Sequence, residues 1–151
     1  MSIEERLAEL AINLPQAPKP VAAYVPVVRS GNLLYISGQL PLLDGELVHK
    51  GKLGRELSLE QGCEAARAAA LNCLAIIKQE LGSLDKVKRI VKVFGVVACD
   101  PTFYDQPKVI NGASELLVEV FGDKGRHARL AAGVCSLPLD SPVEVEMIVE
   151  F

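Results

Sequence analysis

The sequence predicts a single α+β domain in which helices cover one face of a β-sheet. Runs with the two-residue alternation of strands occur towards both ends of the chain, and two long segments between them repeat apolar residues at helical spacing. Half of the 151 residues are hydrophobic. A chain of this length buries enough surface to fold as one domain, here residues 1–151.

The chain is predicted to begin with a helical extension within residues 1–15. Ser2 and Glu5 have the spacing of a capping box, and apolar residues then recur at helical intervals as far as residue 12. The prolines that follow favour an extended arm over residues 14–24.

Strand patterns occupy three regions of the chain before its last quarter. Residues 24–29 and 33–37 form a predicted hairpin around a Ser-Gly-Asn turn. A short strand is expected at residues 46–48, and residues 89–98 are rich in Val and Ile, which is typical of a strand buried on both faces.

Two amphipathic helices lie between these strands and the C-terminal region. Ser58 and Gln61 form a second capping box, which predicts a helix from Ser58 to about Leu81 that stops at Gly82. The second helix is predicted over residues 109–121.

The last quarter holds the candidate chemistry, on two predicted strands that flank the turn-forming segment 137–142. Alternation separates the two faces of the first strand. One face combines a long cation with very small residues: Arg129, Ala131, Gly133 and Cys135. Small neighbours leave room beside the guanidinium, whose planar donors suit a carboxylate-bearing small molecule. The alternative is an ordinary surface or ion-paired arginine.

Composition argues against several classes of function. The chain has 16 basic and 19 acidic residues and a net charge of −3, so it lacks the basic surface that nucleic-acid binding needs. The cysteines stand apart without histidines at ligand spacing, so no metal is expected. They are Cys63, Cys73, Cys99 and Cys135. Neither a membrane-spanning run nor a signal peptide is apparent, and we expect a cytoplasmic protein.

Two motifs resemble the Rid (YjgF/RidA) family of reactive intermediate imine deaminases, also labelled endoribonuclease L-PSP. One is Ala128-Arg129, Leu137-Pro138 and Val143-Glu144-Val145-Glu146, and the other is Ser37-Gly38-Gln39-Leu40-Pro41. The resemblance implies a chorismate mutase-like (YjgF-like) fold with a mixed β-sheet and two main helices on one face. It also implies a homotrimer with ligand clefts between subunits, and neither a metal nor a cofactor.

The resemblance assigns roles to individual residues. Arg129 matches the residue that holds the substrate carboxylate, and Glu144 matches the acid that positions and activates water. The other cleft residues that it implies are Tyr24, Gly38, Asn111 and Ala131. Ala131 stands where a cysteine is common, so a thiol is not required in this cleft. The N-terminal extension and the loop 100–107 also distinguish this branch.

The spacing of Arg129 and Glu144 raises a geometric problem. A simple hairpin of the last two strands would pair Cys135 with Glu144 and Arg129 with Glu150. At about 3.3 Å per residue, Arg129 and Glu144 would lie on the order of 20 Å apart, too far to share one small substrate. Either a longer turn shifts the pairing, or a neighbouring subunit supplies one of the two. A sheet face without helices also favours association.

Three functions follow, in order of preference. The first is hydrolytic deamination of 2-imino or enamine acids, such as 2-aminoacrylate, to 2-oxoacids and ammonia, with the carboxylate held by Arg129 and water activated near Glu144. The second is a non-catalytic binder or sensor of small carboxylates. The third is an endoribonuclease, against which the acidic composition and the lack of a histidine pair argue.

Overall fold

The computed structural model describes residues 1–19 and 22–151, so Pro20 and Val21 of the predicted arm lie outside the described residues. These residues form three α-helices: α1 (Ile3–Glu9), α2 (Leu59–Leu81) and α3 (Gln106–Phe121). They also form seven strands: β1 (Val27–Ser30), β2 (Leu33–Gln39), β3 (Leu42–Leu43), β4 (Glu46–Leu47), β5 (Arg89–Ala98), β6 (Ala128–Val134) and β7 (Val143–Glu150). Among the helices of these residues, none has both the length and the apolar character needed to cross a lipid bilayer.

The first two helices begin at the predicted capping boxes. The Glu5 backbone N–H donates to Ser2 Oγ at 3.0 Å, and the Ser2 N–H donates to the Glu5 carboxylate at 2.7 Å. Ser58 and Gln61 make the same reciprocal pair at the start of α2. This helix ends before Gly82, whose φ of 80° is the left-handed conformation that a glycine adopts readily.

Two elements differ from the prediction. The third helix begins at Gln106, three residues before the predicted start, because Pro107 lies in its first turn, where a missing N–H costs no hydrogen bond. The strand β3 was not predicted. It pairs with β4 in a small two-stranded sheet, joined by Asp44 and Gly45, both at positive φ.

The main sheet has five strands in the order β1-β2-β7-β5-β6. The β5–β6 pair is parallel and the other pairs are antiparallel, so the sheet is mixed, as predicted. Its C-terminal strand β7 lies at the centre, whereas β1 and β6 are the two edge strands.

The hairpin considered for the last two strands does not form. The strand β5 lies between β6 and β7 and pairs with both. The physical reason is that β5, α3 and β6 form a β-α-β crossover, which brings the two strands together in parallel. The segment 135–142 then carries the chain past the end of β5, with Leu139 and Asp140 both at positive φ.

Helices α2 and α3 cover one face of the sheet, which confirms the predicted layers. The sheet residues beneath them are almost fully buried: Ile90, Val93, Val97, Val143, Val145, Met147 and Val149. On the opposite side, which we call the open face, four large apolar side chains are between 38% and 52% exposed. These are Val28, Tyr35, Phe94 and Leu130.

Candidate active site

Arg129 lies on the edge strand β6, with its side chain on the helix-covered face. Its partner across the parallel ladder is Val93, a buried residue of that same face. The guanidinium reaches α3, where Nη1 donates to Asn111 Oδ1 at 2.8 Å and to Ser114 Oγ at 3.2 Å. Nη2 donates to the carbonyl oxygen of Pro107 at 3.3 Å.

All three partners of Arg129 are neutral oxygen atoms. In the described part of the chain no carboxylate forms an ion pair with it, whereas Arg6, Arg29, Arg55, Arg67 and Arg126 each pair with one. Of the five guanidinium N–H bonds, Nε–H and one on Nη2 make no hydrogen bond to the described residues. A partly buried, oriented and uncompensated guanidinium with two remaining donors can bind a carboxylate through both of its oxygens.

Two residues that the sequence analysis did not single out complete this group. Ser114 Oγ lies 2.8 Å from Nε2 of His127, and Nδ1 of the same ring lies 2.6 Å from the Gly125 carbonyl oxygen. Burial lowers the pKa of His127, the hydrogen bond to Gly125 opposes this shift, and the charge of Arg129 adds to it. The spacing of Ser114, three residues after Asn111, places both on one face of α3, but it indicates no contact with Arg129 or His127.

Ala131 follows Arg129 on the same face of β6. Its side chain is partly buried and packs against the core. A Cβ at Gly133, the next position on this face, would lie 2.9 Å from Gln106 Nε2 and 3.0 Å from Cys99 Sγ. The sequence predicts open space beside the small residues of this face, but at Gly133 that space is filled by the side chains of Gln106 and Cys99.

Glu144 lies on β7 with its partly buried side chain on the open face. A Cβ at Gly38 would lie 2.6 Å from Glu144 Oε1, so a larger residue there would displace the carboxylate. Gly38 falls where the pairing of β2 with β7 shifts, between Ile36 and Gln39. Burial raises the pKa of Glu144, and the charge of Glu146 raises it further. The raised pKa brings Glu144 closer to the range in which a carboxylate acts as a general base near neutral pH.

Tyr24 lies just before β1, and 52% of it is exposed. Its segment is attached to the end of β2, because Ser37 donates from Oγ to the Val25 carbonyl at 2.6 Å and from its N–H to the Pro26 carbonyl at 2.9 Å. Since Ser37 adjoins Gly38, Tyr24 lies at the same end of the sheet as Gly38.

The structure brings the predicted site residues together in two groups on opposite faces of the sheet. The anchor group is Arg129, Asn111 and Ala131. The acid group is Glu144 and Gly38, and Tyr24 is counted with it because it lies at the same end of the sheet. Arg129 pairs with Val93 and Glu144 pairs with Val96, three residues further along β5. The two strand spacings from β6 to β7, combined with this offset along the strands, place the Cα atoms of Arg129 and Glu144 about 14 Å apart. Within one chain, no small molecule can contact both groups.

Comparison with known proteins identifies the family. A model of the YjgF/chorismate mutase-like family, described as a "putative endoribonuclease", matches residues 4–151. The chain belongs to this family. The match covers both groups of candidate residues, and the resemblance predicted from the two motifs is confirmed.

Relatives within the YjgF family carry names from different classes of activity. Protein TCP17 from Trypanosoma cruzi is 45% identical over 149 residues, which are 98% of this chain and 93% of that protein. A crystal structure of a "putative endoribonuclease" from Shewanella oneidensis superposes with a TM-score of 0.97 at 35% identity, over 100% of both chains. A 2-iminobutanoate/2-iminopropanoate deaminase from Dermatophagoides farinae is 30% identical over 140 residues, 91% of this chain and 93% of that protein.

Proposed function

We propose that this YjgF-family protein hydrolyses 2-imino and enamine acids, such as 2-aminoacrylate, to 2-oxoacids and ammonia. The observation that carries the proposal is the state of Arg129, which is partly buried, oriented by three neutral oxygens and paired with no carboxylate of the described residues. The name of the Dermatophagoides farinae relative supports the same class of reaction.

In this proposal the two remaining donors of Arg129 bind the substrate carboxylate side by side. One charge-assisted hydrogen bond contributes about 1.5 to 3 kcal/mol, and a second bond also fixes the orientation of the substrate. Asn111 supports this geometry by accepting from Nη1 at 2.8 Å. Ala131 follows on the same face with a small side chain, so the position at which a cysteine is common carries no thiol here.

The proposed reaction uses Glu144 to transfer one proton. An enamine such as 2-aminoacrylate first takes up a proton from solvent at its methylene carbon, which gives the iminium form. Water then adds to the iminium carbon while the Glu144 carboxylate accepts a proton from the water, which gives a neutral carbinolamine. The carboxyl group then returns this proton to the amine nitrogen. The C–N bond breaks as the carbonyl forms, and the hydroxyl proton leaves with the released ammonia as ammonium. The raised pKa of Glu144 suits both proton transfers near neutral pH.

We further propose that the two groups come from different copies of the chain in a homotrimer. One subunit would contribute Tyr24, Gly38 and Glu144, and its neighbour would contribute Arg129, Asn111 and Ala131. Their positions on opposite faces support this arrangement. The exposed apolar side chains of the open face offer a surface for association. A cyclic trimer would contain three such clefts.

One observation favours a second candidate, a protein that binds small carboxylates without catalysis. Three hydrogen bonds within the chain already orient Arg129, so the guanidinium can bind a carboxylate without help from Glu144. Such a protein would bind a 2-oxoacid but would not accelerate imine hydrolysis. For the endoribonuclease named in the family description, the net charge of −3 offers no support.

A coupled assay tests the proposal. An amino acid oxidase generates imines in situ, and their disappearance is followed with and without the protein. We expect acceleration by the wild type, a loss of at least about 100-fold in kcat/KM for Arg129→Ala, and a loss of about tenfold for Arg129→Lys, which keeps the charge but not the paired donors.

Arg126→Ala is the matched control, because it removes an exposed arginine whose partner is Asp123. It should retain wild-type activity. Full activity of Arg129→Ala would refute the proposal. Binding of a 2-oxoacid by the wild type without acceleration would favour the second candidate instead. RNA cleavage that survives Arg129→Ala would point to another site or a contaminant.

A further inference from the structure

We infer that Ser114 and His127 are positioning residues that hold the guanidinium of Arg129 in its anion-binding orientation. This role rests on the proposed function of Arg129 as the carboxylate anchor. It adds a pair of side chains that nothing in the two sequence motifs indicates, on α3 and immediately before β6.

The tautomer of His127 follows from its contact with Gly125. A carbonyl oxygen can only accept a hydrogen bond, so the ring nitrogen Nδ1, at 2.6 Å, carries the proton. In the neutral ring Nε2 is then an acceptor. Burial and the nearby charge of Arg129 both favour this neutral form.

The direction of the Ser114 hydroxyl follows from that tautomer. Its oxygen lies 2.8 Å from Nε2 of His127, so the hydroxyl proton is donated to the ring. The lone pairs of the same oxygen then face Nη1 of Arg129 at 3.2 Å. The result is a chain of donors in one direction, from Arg129 through Ser114 and His127 to the Gly125 carbonyl, in which each bond strengthens the next.

This chain determines which donors of Arg129 are left for a ligand. Asn111 and Ser114 occupy both N–H bonds of Nη1, and Pro107 occupies one of Nη2. Without an acceptor at Ser114 one of these hydrogen bonds is lost, and the free guanidinium becomes less ordered. Binding of a carboxylate then costs more conformational entropy, because it must fix the guanidinium in one orientation. Loss of one such bond should weaken carboxylate binding about fivefold.

The experiment compares Ser114→Thr with Ser114→Val. The two side chains have the same β-branched shape and the same cost in a helix, but only threonine keeps the hydroxyl. Binding of 2-oxobutanoate is measured by NMR titration, with the Arg129 Nε–H signal as a direct readout of guanidinium order. Thermal unfolding of both variants verifies that they are equally folded.

We expect the threonine variant to bind within about twofold of the wild type. The valine variant should bind about fivefold more weakly, and its Arg129 Nε–H signal should broaden. Equal affinities of the two variants, with binding that still depends on Arg129, would overturn only the positioning role. If the wild type binds no better than Arg129→Ala, the proposed function of Arg129 fails as well.

A second pair of variants tests whether Ser114 and His127 act as a unit. His127→Phe keeps a ring of similar shape but removes the acceptor, so the Ser114 hydroxyl is no longer directed away from Arg129. It should weaken 2-oxobutanoate binding by about the same factor as Ser114→Val. The double variant with both Ser114→Val and His127→Phe should bind no more weakly than either single variant, because both substitutions interrupt the same chain of hydrogen bonds. Additive losses would contradict the inference.

Discussion

At the scale of single residues, the carboxyl group of Glu144 links the proposed catalysis to stability. It is partly buried next to Gly38, and burial and the charge of Glu146 raise its pKa. A carboxyl whose pKa is raised by folding binds its proton more tightly in the folded protein. Protonated Glu144 therefore contributes stability that is fully present below the ordinary pKa of 4.5 and is lost as the pH rises through the raised pKa.

Replacement of Glu144 by glutamine should have opposite effects on activity and stability. The variant should lose about 100-fold in kcat, because the proton acceptor is gone. Its free energy of unfolding, relative to that of the wild type, should be higher near pH 8 than near pH 4, because glutamine does not ionise. Urea denaturation of both proteins at equal concentration measures this difference. A relative stability that does not change with pH would contradict the raised pKa.

Glu146→Gln is the matched control for this prediction. Glu146 lies two residues away on the same face of β7, but it is exposed and has no role in the proposed reaction. Its glutamine variant should keep kcat within about threefold of the wild type. A loss as large as that of Glu144→Gln would mean that the two carboxylates act together.

The residues of the anchor group differ in how far the sequence predicts them. Arg129 lies in the C-terminal motif and Asn111 is implied by the family resemblance, and their contact at 2.8 Å agrees with a shared site. Ser114 and His127 are different, because serine and histidine have many ordinary roles. Their link to Arg129 depends on how α3 packs on β6, which alternation and spacing do not specify.

At the scale of elements, the contact between α2 and α3 depends on Gly112. A Cβ built at this position would overlap the backbone carbonyl of Cys63 on α2. Helices that approach this closely need a residue without a side chain at the contact. Because Asn111 and Ser114 flank Gly112 on α3, the same contact determines where the partners of Arg129 lie.

Replacement of Gly112 by alanine should therefore destabilise the fold and disturb the anchor group. We expect the free energy of unfolding to fall by about 1 to 3 kcal/mol, because overpacking outweighs the better helix propensity of alanine. Urea denaturation measures the change. Carboxylate binding should weaken in parallel, since α3 must move away from α2. A variant as stable as the wild type would show that the helices do not need this glycine.

Elements also show where prediction from sequence succeeds and where it fails. Both capping boxes are local signals, and the helices begin where Ser2 and Ser58 predict. The order of strands is non-local, and a hairpin of neighbouring strands was the simplest arrangement for β6 and β7. The β-α-β crossover that places β5 between them could have been inferred from the strand, helix and strand over residues 89–134.

At the scale of the whole molecule, the two groups of site residues predict complementation between inactive variants. Arg129→Ala chains retain the acid group, and Glu144→Gln chains retain the anchor group. Refolded together in equal amounts into cyclic trimers, about one quarter of the clefts would combine an intact anchor with an intact acid. The mixture should therefore recover about one quarter of wild-type kcat per cleft, although each variant alone is nearly inactive.

Variants refolded separately and mixed only after assembly provide the control for this prediction. They should stay inactive as long as the subunits do not exchange. If the co-refolded mixture also stays inactive while its mass is that of a trimer, then the two groups do not meet across a subunit boundary, and the proposed cleft is wrong.

The neutral partners of Arg129 have a consequence for the proposed turnover. Its charge is available to a ligand both before the proposed reaction and after it, because no carboxylate of the described residues forms an ion pair with it. Hydrolysis converts a C=N bond into a C=O bond and leaves the carboxylate unchanged. The anchor therefore binds reactant and 2-oxoacid with similar strength. Product inhibition is then intrinsic to the proposed mode of recognition, and we expect the proposed reaction to run fastest where a downstream reaction keeps the 2-oxoacid scarce.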